Sequence, residues 1–345
     1  MSADAPQSAT PSRQIVILGA GGYLGGSLCH VFHALGRDRV VAVSRREPGH
    51  RHLASHLVAD VFAEEWARHI ADDLPVLLIN CAFDFGTVGI EQLEDKYAVF
   101  DRNIAALAKR PGTRLINIST TSAYPGCPTD YGREKLYVED LFTKHGGLNV
   151  RPGLVVSWRN AGAGFLRLLD TVRSSKLIPV LAARGSGFPT CDLEAFLLGI
   201  VVLAGMRINK PRTLTFCYRN RLKLAAVLQM IEGHLGVARI KFPVPWFAVY
   251  LALRGKEALI GKSKIRADSV LDFAHPLTRP LGRSAFARLI VQFRAELEAL
   301  PRGQGIASGF YGLESMSAAS ARKSCRLSAR LTPKTFEVLG RLSDA

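Results

Sequence analysis

The chain of 345 residues carries 45 lysines and arginines against 29 carboxylates, a formal charge of +16, and is 48% apolar. That length suits one large lobe and a smaller partner. No stretch approaches the roughly 18 consecutive apolar residues of a bilayer span, which argues against integral membrane association. The positive charge would draw an anionic ligand, but no zinc finger, aromatic RNA-binding box or lysine-rich arm accompanies it, so nucleic acid is not an expected partner.

Residues 1–13 are small and polar, lack the apolar core of an export signal, and read as a frayed tail. Cys29, Cys81, Cys127, Cys191, Cys217 and Cys325 are scattered, without a C-x-x-C pair or histidines at metal-ligand spacing. Reduced thiols, a cytoplasmic location and no metal site are the expectation.

An apolar run from Gln14 to Leu18 leads into glycines and then into Tyr23 to Leu35, where Leu24, Leu28, Val31 and Phe32 recur at helical spacing. The pattern predicts strand, tight turn and helix. Further strands are predicted at Arg39 to Val43, His56 to Val61, Val76 to Ile79 and Arg114 to Ile118, with helical patterns between them. A helix from Tyr131 through Phe142, ending near Gly146 and Gly147, precedes a sixth strand at Leu148 to Arg151. Such alternation predicts an α/β fold, a parallel sheet doubly wound with helices on both faces.

Beyond Pro152 the alternation weakens. Helices are expected at Ala195 to Ala204 and at Val244 to Leu253, the second introduced by Pro243 and Pro245, and these build a second lobe. From Pro301 onward small residues and basic charge predominate, with six cations against two carboxylates in the last 25 residues. Residues 301–345 are expected to form a mobile basic appendage.

Gly19, Gly22 and Gly25 are spaced G-x-x-G-x-x-G directly after the first strand, and Tyr23 and Leu24 open the helix behind them. The backbone has to turn sharply there, and residues without a Cβ let a pyrophosphate approach the N–H groups of the helix start. A glycine turn with a strand before it and a helix after it points to a dinucleotide. The end of the second strand decides which one. An acidic residue would hold the 2′-hydroxyl of NAD, whereas this chain has Ser44, Arg45 and Arg46, and a guanidinium suits the 2′-phosphate of NADP. NADP is therefore expected ahead of NAD. Asp60 and Val61, after the third strand, are placed to meet the adenine.

Tyr131 and Lys135 stand four residues apart and share a face if their segment is helical. A tyrosine with its ordinary pKa of about 10 is a poor base near neutrality, but an adjacent ammonium and an oxidised nicotinamide both favour the phenolate. Tyr131 could then exchange a proton with a substrate hydroxyl or carbonyl. Upstream, the strand that ends at Ile118 runs into four hydroxyls, Ser119, Thr120, Thr121 and Ser122, one of which can hold the substrate oxygen near the tyrosine.

Together these residues resemble the extended branch of the short-chain dehydrogenase/reductase superfamily, the NAD-dependent epimerase/dehydratase family, over roughly residues 14 to 200 and in matching order. The resemblance implies a Rossmann-type domain over 14–175, a smaller C-terminal substrate lobe with a sheet-completing segment over 176–300, and a Ser/Thr-Tyr-Lys triad. In the family the hydroxyl lies four residues before a tyrosine, in a pattern like S-S-x-x-V-Y-G. Tyr124 in Ser-Ala-Tyr-Pro takes that tyrosine's place, which registers Thr120 as the triad hydroxyl, with Ser119 the alternative. The resemblance further implies that Lys135 contacts the nicotinamide ribose and that Cys81 and Ala82 lie along the cofactor. Arg151-Pro152-Gly153 resembles the R-P motif near the nicotinamide, which brings Pro152 into the cofactor site. The implied substrate is a small molecule, a nucleotide-activated sugar first, and a homodimer is compatible.

The match has gaps. Many nucleotide-sugar members continue as R-P-x-N-V-Y-G-P, whereas here Leu154 stands in place of the amide and Trp158, Arg159 and Asn160 follow. Leu154 and the apolar second lobe favour a lipophilic alcohol, steroid-like or terpenoid-like, as the second substrate class. An asparagine customary in helix four falls near Tyr97, and no role passes to Asn103. Asp192, in a turn resembling the family's D-L-A type, reads as a helix N-cap. The segment from Phe242 to Leu253, flanked by Lys241 and Arg254, reads as a buried pocket wall in preference to a membrane-facing helix. Arg254, Lys256 and Arg283 could anchor an anionic substrate. The expected reaction is hydride transfer at a carbon bearing a hydroxyl or keto group, giving epimerisation if the hydride returns to the opposite face and reduction or oxidation if it does not. A non-catalytic NADP-binding regulator or assembly subunit is the rival of a different class.

Overall fold

The computed structural model describes residues 11–47, 54–84, 90–157, 163–182, 187, 189–206, 212–217, 222–260, 267, 270 and 271. In chain order the first elements are β1 (Gln14–Leu18), α1 (Tyr23–Leu35), β2 (Arg39–Ser44), β3 (Ser55–Val58), β4 (Val76–Asn80), α2 (Leu93–Ala108) and β5 (Arg114–Ile118). There follow α3 (Asp130–Lys144), β6 (Leu148–Pro152), β7 (Leu154–Val156), α4 (Ala163–Ser174), β8 (Leu177–Ala182), β9 (Thr190–Asp192) and α5 (Leu193–Gly205). The last are β10 (Arg212–Phe216), α6 (Leu224–Leu235), β11 (Ile240–Pro245) and α7 (Trp246–Ile260). Short 3₁₀ turns at Trp66–His69 and Ile90–Gln92 precede α2.

Seven strands form one sheet in the order β10-β6-β5-β4-β1-β2-β3, every neighbouring pair parallel. Each strand of β1 and β4 is buried along its whole length, as a parallel sheet covered on both faces requires. Alternate residues serve opposite faces. Ile15, Ile17, Leu77 and Ile79 meet Leu28 and Phe32 of α1 and Phe196 and Ile200 of α5 in one cluster. Val16, Leu18, Leu78 and Leu115 meet Phe100 and Ile104 of α2 and Val138 and Phe142 of α3 in the other. The order reverses beside β1, so the crevice for a ligand opens at the carboxyl ends of β1 and β4.

The second lobe has a core of its own, in which Phe165, Leu169 and Val172 of α4 pack with Ile178 of β8 and Val227, Leu228 and Ile231 of α6. A parallel pair β8/β11 completes it. The short pair β7/β9 runs between the two cores.

Several expectations change. The seventh strand, β10, went unpredicted because Arg-Thr-Leu-Thr-Phe offers few apolar residues, yet it pairs with all of β6 at the sheet edge. The predicted helix from Val244 begins only at Trp246, and Pro243 and Pro245 belong to an edge strand, where a missing N–H leaves no ladder bond unmade. Asp192 occupies the N-cap position of α5 but makes no capping hydrogen bond there. Arg13, read as part of the tail, is tied down by a bidentate pair with Asp38 at 2.9 and 3.0 Å and donates to the Ala204 carbonyl. The remainder of the tail to residue 10, Trp158 to Asn160, Arg283 and the segment 301–345 lie outside the described residues.

Candidate active site

The glycine turn is shaped by close backbone approaches. Gly19 has φ +75°, and a Cβ on it would lie 2.7 Å from the Ala82 nitrogen, so only glycine lets β1 pass this close to the end of β4. A Cβ on Gly25 would lie 2.3 Å from the Gly19 carbonyl oxygen, which seats α1 directly on the turn. Gly22 is the N-cap of α1, no side chain caps that helix, and no carboxylate stands in the first turn, where Tyr23 and Leu24 begin it. Gly21 and Gly22 are exposed. An accessible helix N-terminus without a competing acid suits a diphosphate. Cys81 continues the β1–β4 ladder by donating to Leu18 O at 2.9 Å, and Ala82 N is held by Asn80 Oδ1 at 3.0 Å, so the Cys81–Ala82 backbone lines the same crevice.

At the end of β2, Ser44 Oγ donates to the Arg46 carbonyl at 2.6 Å and Arg45 and Arg46 are exposed. Asp60 closes an Asx turn, its Oδ1 accepting from Phe62 N at 3.0 Å, and this turn holds the buried Val61 in place. Pro152 ends β6, its carbonyl accepting from Thr121 N at 3.3 Å, so the strand-six motif and the hydroxyl run are joined.

Helix α3 starts where the catalytic expectation falls. Thr129 caps it by accepting from Gly132 N at 3.1 Å. A Cβ on Gly132 would lie 2.4 Å from the Ser122 carbonyl, so the first turn of α3 presses on the hydroxyl-bearing loop. Lys135 is 5% exposed and donates from Nζ to Ile118 O at 3.1 Å, two residues before Thr120. Its Nζ also stands 4.7 Å from the centre of the Phe83 ring, which packs edge-to-face with Tyr131 at 5.1 Å. One phenyl ring, three residues beyond β4, thus touches both the tyrosine and the lysine. Burial lowers the Lys135 pKa from 10.5 to about 8, an effect that Cys81, Glu134 and Glu139 partly oppose.

The hydroxyl run divides in two. Ser119 is buried and donates to Glu139 Oε1 at 2.5 Å, whereas Thr120 is half-buried and its Oγ1 only accepts, from Ser122 N at 3.2 Å. A hydroxyl that accepts in a turn retains its proton for another acceptor. This favours Thr120 over Ser119 as the group facing a substrate.

Sequence reasoning missed the supports. Glu134, 5% exposed, accepts from Lys96 Nζ at 2.5 Å and Tyr97 OH at 2.8 Å, and Lys96 also donates to the Asp84 carbonyl at 3.2 Å. Tyr97 therefore makes a buried structural hydrogen bond, and its hydroxyl is held protonated by burial and by Glu134. Glu139, one turn beyond Lys135, takes both ends of the Arg151 fork at 2.7 and 2.6 Å. Asn80, Asn117 and Asn149, neighbours in register on β4, β5 and β6, form a buried amide ladder at 2.9 and 3.0 Å that ends on the Glu139 carbonyl and Thr143 Oγ1. The i, i+4 spacing of Lys135 and Glu139 was the available signal; the amide ladder had none. Asn103 ties α2 to the Trp66 turn through Ala67 N and Glu64 O.

Two expectations fail here. The side chain of Leu154 packs against the second lobe's core, so it no longer argues for a lipophilic pocket. The pocket-wall reading of the segment ending at Leu253 fails as well, since Phe242, Phe247 and Leu251 are exposed at 42, 55 and 64%.

A doubly wound parallel sheet with a glycine turn at its switch point defines a Rossmann-type dinucleotide-binding fold. More particularly, residues 15–148 match the model of the NAD dependent epimerase/dehydratase family. Solved structures agree in fold. UDP-glucuronic acid 4-epimerase from Bacillus cereus, in complex with NAD, superposes with a TM-score of 0.56 at 16% identity over 67% of this chain and 87% of that one. ADP-L-glycero-D-manno-heptose-6-epimerase from Helicobacter pylori gives 0.53 at 14% over 67% and 85%. A monomeric L-threonine 3-dehydrogenase from a metagenome gives 0.56 at 16% over 82% and 99%. Comparison with curated protein sequences gives no match.

Proposed function

We propose that the chain is an oxidoreductase or epimerase acting at a carbon bearing a hydroxyl or keto group, with Tyr131 handling the proton. The observation that carries this reading is that Tyr131 and Lys135 both pack against the Phe83 ring, with Lys135 bonded to the carbonyl that ends β5, two residues before Thr120. The glycine turn, Cys81–Ala82 and Pro152 would hold a nicotinamide dinucleotide, which when bound supplies or accepts the hydride. Tyr131 gives or takes a proton at the substrate oxygen, Thr120 donates a hydrogen bond to that oxygen, and the Lys135 ammonium favours the phenolate.

Arg45 and Arg46, exposed and free of a carboxylate within β2, support NADP as the dinucleotide, although the Bacillus cereus epimerase binds NAD. A nucleotide-activated sugar is the substrate class supported by the two epimerases of this fold, which act on UDP- and ADP-linked sugars. The test is turnover of purified protein with NADP(H) or NAD(H) and a panel of nucleotide sugars and their keto forms. Tyr131→Phe should lower kcat by roughly 10²- to 10⁴-fold with dinucleotide affinity retained. Dinucleotide binding without any turnover that depends on Tyr131 would favour a non-catalytic sensor. Arg45→Ala should weaken NADP more than NAD, and an unchanged ratio would remove the cofactor assignment.

A further inference from the structure

Helix α7 carries apolar residues on its exposed side as well as on its half-buried one. Trp246, Val249, Tyr250, Leu253 and Glu257 are half-buried and share one side of the helix. On the other side Phe247, Ala248, Leu251, Ala252 and Leu259 are all exposed, Leu259 at 88%. At about 100° per residue this stripe is bordered by Arg254 on one edge and Lys256 on the other, both exposed. The one carboxylate of the helix, Glu257, faces inward and accepts from Ala267 N at 2.9 Å. The strand pair leading into the helix adds Leu177 and its register partner Ile240, exposed at 58 and 67%.

A helix that only had to be soluble would carry its charged residues outward and its apolar ones inward. Here an outward apolar stripe is edged by cations whose long stems can reach upward, the pattern of a helix lying in a bilayer–water interface. The surrounding lobe has the matching sign, since residues 163–182 and 222–260 contain eight lysines and arginines against three carboxylates. Each cation close to an anionic leaflet contributes about 1 kcal/mol of attraction. A second copy of the same face suits the stripe less well, because a two-fold contact would bring two like-charged basic lobes together. No described helix is long and apolar enough to cross a membrane, so the association is in-plane. We propose that α7 docks the protein on the surface of an anionic lipid bilayer, with Phe247, Leu251 and Leu259 among the acyl chains and Arg254 and Lys256 at the phosphates.

The experiment is co-sedimentation of the full chain with vesicles of phosphatidylcholine alone and of phosphatidylcholine mixed with phosphatidylglycerol. The wild type should partition onto the mixed vesicles and release as salt rises. Phe247→Gln/Leu251→Gln should lower the partition coefficient at least about tenfold, because two buried apolar anchors are lost. Both sites are exposed in the fold, so the thermal transition should stay in place; Leu251→Gln alone serves if the double variant does not hold it. Arg254→Gln/Lys256→Gln should reduce the preference for the anionic vesicles. Failure of the wild type to partition would overturn the proposal. So would partitioning that Phe247→Gln/Leu251→Gln leaves intact, which places the attraction in another basic segment. A wild-type dimer in sedimentation velocity that Leu251→Gln dissociates would give the stripe to a second copy instead.

Discussion

Beneath α3, charged and amide side chains lie buried and fully engaged, whereas on α7 apolar side chains stand in solvent. In the first region Lys135, Glu134, Glu139, Asn117 and Asn149 are each 5% exposed or less, and each has a bonded partner. In the second, Leu251 and Leu259 are largely exposed. Burying a charge or an amide is tolerable only with partners in place, so the first arrangement fixes geometry beside the proposed proton-handling pair. Exposing leucine has no such internal reward.

The largest effect that would break this contrast is expected at Glu139. Glu139→Gln leaves the Arg151 fork buried against a neutral amide and should lower unfolding free energy by about 3–5 kcal/mol in urea titrations. A loss below about 1 kcal/mol would show that water reaches the fork, and that the region is less dry than its packing suggests.

Lys135 offers a pH-dependent test of the same burial. Its folded pKa of about 8 lies below the ordinary 10.5, so between these values the unfolded chain holds a proton that the folded chain has released. The penalty for burying the ammonium is present in full below pH 8 and is relieved as pH rises towards 10.5. Wild-type stability measured relative to Lys135→Met should therefore climb across that window by up to about 3 kcal/mol. A flat difference would refute the dry setting of the lysine.

Asn117→Ala should cost about 2–3 kcal/mol, because Asn80 and Asn149 each lose a partner inside the sheet. It should also raise KM for the dinucleotide, since Asn80 holds the Ala82 amide beside the glycine turn. The smallest effect is expected on the other side of the contrast. Leu251→Gln should change unfolding free energy by less than about 0.5 kcal/mol, and a larger loss would mean that the α7 stripe is covered in the folded chain.

The elements that could be read in advance were those whose own residues carry the signal. β1, α1 and β5 have the boundaries that the apolar runs and glycines predict, and Tyr131 and Lys135 share the helix face that their spacing requires. Helix α3 itself is polar in sequence, and its buried stripe contains Lys135 and Glu139 as well as Val138 and Phe142, so a hydrophobic pattern could not reveal which face is inside. β10 became a strand because β6 offered an open edge, and Leu154 is half-buried because it packs against the cluster formed by α4, β8 and α6.

The sequence by itself determined the order of strand and helix, the glycine turn and the i, i+4 spacing of Tyr131 and Lys135 on one helix, because these depend on neighbours within a few residues. Only the tertiary structure decided that Phe83 packs against both Tyr131 and Lys135, that Glu139 engages the Ser119 hydroxyl while Thr120 Oγ1 accepts only from Ser122 N, and that one side of α7 is exposed. The contacts of Phe83 and of Glu139 join segments far apart in the chain, and burial, which sets both the lysine's pKa and the meaning of an apolar stripe, exists only after they have met.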